Sequence, residues 1–201
     1  MESELPKKKL IEYIIWIVAF FIIIAVQKYF AVFFSENVNI LLYCFFELFF
    51  LIYVFVNRKD FKEDKNTSMQ AKIIICSILF LLLAVRVFFV IRGKYFTHTI
   101  INNYSILERI KWLLIFTGVG FTEEILFKSI LYKKIIRPLL PVSIAVLICA
   151  LVFALWHIRF YIFSIVATMI FQLITLPMYE KYPNIVVYSV FHTLLNFSFY
   201  L

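Results

Sequence analysis

The chain has 201 residues, 64% of them hydrophobic and only 16% charged, with a mean hydropathy of +0.97. That leaves too little polar surface to cover a globule in water, where about a quarter of residues are charged. The net charge is +8, but the basic residues fall mainly between apolar runs, which is a membrane-topology pattern and not a nucleic-acid footprint. Three glycines and 25 phenylalanines, with no alternating ten-residue segments, argue for helices over a membrane barrel.

A helix needs about 20 apolar residues to cross the hydrocarbon. The sequence predicts an all-α, polytopic bundle of about seven such helices, at residues 10–34, 39–56, 71–91, 107–135, 142–158, 160–178 and 184–200. The first run lacks a small-residue cleavage site and reads as a retained anchor. Lys7, Lys8 and Lys9 ahead of it are expected in the cytoplasm. So is the polar loop 57–72, with Arg58, Lys59, Lys62, Lys65 and Lys72, after an even number of crossings. Cys44, Cys76 and Cys149 lie in apolar runs without CxxC spacing and read as small packing residues.

Pro138 and Pro141 separate the fourth helix from the fifth; Pro177 and Pro183 are expected to bracket the link to the seventh. The organisation is one integrated membrane domain, with residues 1–106 as N-terminal helices and loops and 107–201 as the helical core that carries the chemistry. The expected location is a bacterial plasma membrane, crossed several times.

The fourth helix holds Glu123, Glu124 and Lys128 near its middle. Each charge there costs on the order of 3 kcal/mol on insertion scales, so the three must face protein or water, pair, or stay neutral. Glu124 and Lys128 are four apart and share a face, whereas Glu123 points about 100° away. One carboxylate can then be structural while the other is free for chemistry. The bland alternative is that both are packing polars.

Of three histidines, His98 sits between threonines in a polar loop and reads as solvated. His157 ends the fifth helix. His192 lies inside the seventh, four residues before Asn196 and on the same face. A lone membrane histidine is most often an interhelical hydrogen bonder. Here a glutamate pair, a histidine and a His/Asn pair converge on three of the last four helices, and the first three carry no comparable set. A carboxylate and an imidazole can hold and deprotonate a water. A second imidazole and an amide can stabilise an oxyanion. Two histidines and a carboxylate (Glu123, His157, His192) can also ligate zinc, but HExxH spacing is absent, and a metal-free site is the favoured version.

Glu123-Glu124-x-x-x-Lys128, Phe153-x-x-x-His157 and His192-x-x-x-Asn196 follow one another on successive helices. This resembles the CAAX protease and bacteriocin-processing (CPBP, or Abi) family of intramembrane proteases, which includes the type II CAAX prenyl endopeptidases, with its pattern EExxxR, FxxxH and HxxxN/B. The resemblance covers residues 107–200. It implies that Glu123 and His157 activate the attacking water, that His192 and Asn196 form the oxyanion hole, and that Glu124 is the structural or assisting carboxylate. It implies a substrate that is a peptide or membrane-associated protein, CAAX-like or a bacteriocin or leader peptide. Lys128 departs from the family arginine and offers a point charge in place of a planar fork.

Elsewhere, Glu47 and Arg86 are expected to pair across the second and third helices, and Gln172 and Asn184 to make helix contacts. Two readings compete with the protease: a non-catalytic bacteriocin-immunity or scaffold protein, and a small proton-coupled transporter. The absence of internal repeats and paired broken helices speaks against the latter.

Overall fold

The computed structural model describes residues 68–97, 105–157 and 162–198, with scattered positions of the first two predicted segments (10–12, 14, 15, 17, 18, 22, 45, 48, 52, 55 and 56). Among the described residues the ordered structure is helical and there is no strand. Most of 10–34 and 39–56 lies outside these residues, as do Lys7–Lys9, Cys44, Glu47 and His98, so the expected Glu47–Arg86 pair does too.

In chain order the elements are α1 (Met69–Thr97), α2 (Ile106–Glu124), a π-helix π1 (Ile125–Ile136), α3 (Val142–Trp156), α4 (Ile162–Lys181) and α5 (Ile185–Phe197). By length and composition, one helix among the described residues, at Met69–Phe88, can cross a bilayer; Val142–Trp156 and Ile185–Phe197 are apolar but shorter. Large apolar side chains such as Phe80, Leu81, Leu114 and Leu155 are exposed. Such a surface suits hydrocarbon as solvent. The elements fall into two compact units, one holding π1, α3 and α4 and the other α1, α2 and α5.

In the second unit, α2 packs mainly on α5, and α1 touches α5 more lightly. A capping box starts α2: Ser105 N–H and Oγ donate to Glu108 Oε2 at 2.7 and 2.8 Å, and Glu108 N–H donates to Ser105 Oγ at 3.3 Å. Asn184 is the N-cap of α5. Its side chain accepts from Val187 N–H at 3.3 Å, a role the sequence reading assigned simply to helix contact.

In the first unit, α3 packs on α4 and on π1. The predicted helix 107–135 divides after Glu124, beyond which Ile125–Ile136 is π-helical; its end is marked by Arg137 N–H donating five residues back to Tyr132 O at 2.8 Å. π-Helical turns are rare and concentrate at functional sites. Ile125 through Ile130 are all buried here, as is Tyr132.

Pro177 does not end its helix as expected: α4 continues through it to Lys181. The last turn is anchored from outside the helix, because Glu180 accepts from Tyr132 OH at 3.0 Å and from Arg137 Nε at 2.8 Å, and Lys133 Nζ sits 5.9 Å from the Tyr179 ring centroid. Those contacts offset the hydrogen bond that proline cannot donate. The Glu180 carboxylate also holds the exposed Arg137 guanidinium above its usual pKa.

Candidate active site

Glu123 and Glu124 are the last two residues of α2, and both are buried, at 8% and 0% exposure. His192 lies in the second turn of α5 and is 5% exposed. Its two ring nitrogens face the two carboxylates. Nδ1 is 2.9 Å from Glu124 Oε1, a hydrogen bond, and Nε2 is 3.6 Å from Glu123 Oε2. Consecutive helix positions diverge by about 100°, but that angle does not separate the two carboxylates here. The imidazole of α5 fills it and reaches both. A carboxylate oxygen only accepts, so the ring donates through Nδ1–H to Glu124, which fixes its orientation and leaves Nε2 on the Glu123 side.

Asn196 follows one helical turn later and is half-buried. The packing of α2 on α5 is close: Thr193 Oγ1 donates to Ser189 O at 2.9 Å and lies 3.3 Å from Phe116 O, and Gly120 faces the same threonine. Sequence reading passed over Gly120 and Thr193. The available signal was a small residue one turn before Glu124 and a hydroxyl beside His192, and neither names its partner.

The first unit carries the other motif residues. Lys128 is fully buried in π1. Its Nζ donates to Gln172 Oε1 at 3.0 Å and sits 5.0 Å from the Phe171 ring centroid. Gln172, expected to make a helix contact, thus makes a charge-assisted one. Its own Nε2 and the Ser129 Oγ are buried without a hydrogen-bond partner.

His157 caps the C-terminus of α3, and its ring Nδ1 lies 2.8 Å from Phe153 O. A carbonyl only accepts, so Nδ1 carries a proton here. The FxxxH spacing is therefore a local device. The histidine satisfies a carbonyl of the last turn, four residues back. The Phe153 ring packs at 4.6 Å against the imidazole and edge-on at 4.8 Å against Phe127.

A catalytic zinc site needs three protein ligands and an open position. Glu123 and His192 supply two facing donors, while Glu124 is engaged on the other ring nitrogen. No cluster of three or more His, Cys, Asp or Glu ligands forms among the described residues. Within this unit the facing donors number two, and His157 belongs to the other unit.

Residues 105–198 match the family model described as type II CAAX prenyl endopeptidase Rce1-like. No curated protein matches the chain, and no solved structure does. The matched segment runs from the capping serine of α2 to the end of α5 and contains the glutamate pair, Phe153, His157, His192 and Asn196. Over that segment, just under half of the chain, the protein is similar to the CPBP/CAAX protease family of membrane-integral endopeptidases.

Proposed function

We propose that this protein is an intramembrane endopeptidase that hydrolyses a peptide bond in a membrane-associated peptide or protein, using a water activated by Glu123. The observation that carries this reading is the seating of His192 between two buried carboxylates. The position costs desolvation of all three groups and has little merit as packing alone.

Glu123 takes a proton from the water, and the resulting hydroxide adds to the scissile carbonyl carbon. The oxygen of that carbonyl gains the negative charge. Nε2–H of His192 and the side-chain amide of Asn196 donate to it. This role needs a proton on both ring nitrogens, and the Glu124 carboxylate holds the Nδ1 proton and balances the charge. Collapse of the tetrahedral intermediate breaks the C–N bond, and Glu123 returns its proton to the leaving amine. The resemblance also gives His157 a share in activating the water. That role is carried over on the motif Phe153-x-x-x-His157.

The accompanying topology places seven crossings in a bacterial plasma membrane with the N-terminus in the cytoplasm, following the basic residues of the first two polar segments. A CAAX-like C-terminus or a leader peptide is the substrate class.

The test compares membrane peptidomes from cells carrying the wild type and Glu123→Gln. Peptides present with the wild type and lost in the variant are expected. Identical peptide sets at equal protein accumulation would remove the protease reading.

A further inference from the structure

We propose that Gly120 and Thr193 are positioning residues that set the spacing of α2 and α5 and thereby seat His192 between Glu123 and Glu124. Gly120 lies one helical turn before Glu124, and Thr193 directly follows His192. A Cβ on residue 120 would stand 2.7 Å from Thr193 Oγ1, 3.0 Å from Thr193 N and 3.0 Å from Ser189 O. The first neighbour is a side-chain atom that can rotate. The other two are helix backbone and cannot, so any side chain at 120 parts the helices. Small residues are what permit such close approach between helices in a bilayer.

The threonine hydroxyl closes the gap from the other side. It donates to Ser189 O in its own helix at 2.9 Å and lies 3.3 Å from Phe116 O in α2. Phe116, Gly120 and Glu124 occupy one stripe of α2 at intervals of four. The stripe therefore meets α5 through a carbonyl, a bare Cα and a carboxylate in successive turns. The carboxylate contact is the 2.9 Å bond to His192. A shift large enough to admit a methyl group at 120 acts one turn away from that bond. Misplacement by about 1 Å is enough to cost a reaction on the order of 100-fold.

The kinetic part of this inference rests on the protease reading; the geometric part does not. Gly120→Ala, Thr193→Val and Thr193→Ser are prepared in the full-length chain in lipid nanodiscs. The ring ¹⁵N resonances of His192 are recorded, with His192→Gln identifying the signal among three histidines. Peptide hydrolysis is followed in the same samples.

Gly120→Ala and Thr193→Val are expected to move the His192 resonances and lower kcat by about tenfold or more, with KM changed less than about threefold. Thr193→Ser keeps the hydroxyl and retains both properties. Unmoved His192 resonances in folded Gly120→Ala overturn the proposal, as does a kcat loss without a resonance shift. If Gly120→Ala fails to fold, Thr193→Val decides on the same criteria. A wild type that cleaves nothing sinks the protease reading, while the resonances still decide the positioning role.

Discussion

Nδ1 of His192 lies 2.9 Å from Oε1 of Glu124, joining positions 68 residues apart in the chain. Both side chains are buried, and Glu124 has no exposure at all. A carboxylate withdrawn from water in this way is tolerated where a donor meets it. The second carboxylate, Glu123, occupies the opposite side of the same ring. The ring thus distinguishes the glutamate pair: Glu124 is hydrogen-bonded to Nδ1 and Glu123 faces Nε2.

That distinction predicts unequal effects from two isosteric changes. On the proposed mechanism Glu123→Gln removes the base, so it is expected to lower kcat by about 10²–10⁴-fold with unchanged accumulation in the membrane. Glu124→Gln keeps an acceptor for Nδ1–H and is expected to cost less. Single-turnover hydrolysis of a cleaved peptide measures both. A larger loss for Glu124→Gln would reverse the assignment.

Glu124 and His192 also support one another structurally. Glu124→Ala, His192→Ala and the double variant, unfolded in a lipid environment, are expected to give a coupling energy of about 1–3 kcal/mol. His192→Ala alone leaves Glu124 without its imidazole donor, so the single change is expected to be the most destabilising of the three. Additive effects would show that the bond contributes nothing.

Lys128 and Gln172 form a charge-assisted bond in the first unit. Gln172→Leu is expected to lower stability by about 1.5–3 kcal/mol, the range for hydrogen bonds to charged groups. Gln172→Glu keeps an acceptor for the ammonium and removes the orphaned amide nitrogen, so its cost is expected to be smaller. Thermal melts in detergent separate the two, and equal melting for wild type and Gln172→Leu would dismiss the contact.

Phe153 has no exposure and packs against both Phe127 and the His157 ring. Phe153→Ala is expected to cost about 3–5 kcal/mol through the cavity it leaves. Phe153→Leu fills most of that volume and is expected to recover most of the loss, because the carbonyl that anchors His157 belongs to the backbone. Denaturant melts of the two variants check the ranking.

The donor set also bears on metal dependence. Glu123 and His192 supply two facing donors within one unit, and on the metal-free reading proposed above treatment with a chelator is expected to leave hydrolysis unchanged. Loss of activity on chelation, restored by added zinc, would contradict this.

What the sequence by itself determined is local or compositional. The apolar runs and scarce charge dictate helices in a hydrocarbon solvent. The intervals of four in Phe153–His157 and His192–Asn196 are repeats of a single helical turn, readable without any partner. The three motifs in order carry a family resemblance over residues 107–200, and residues 105–198 match the family model.

Tertiary structure decided the rest. Which side of Glu123 and Glu124 faces a histidine depends on where α5 lies against α2, and no periodicity encodes a partner 68 residues away. The close approach at Gly120 is set by the backbone of another helix. Pro177 reads locally as a helix end, yet the helix persists because Tyr132 and Arg137 hold Glu180 beyond it. Local preferences are worth a few kcal/mol at most, and contacts from distant segments outweigh them.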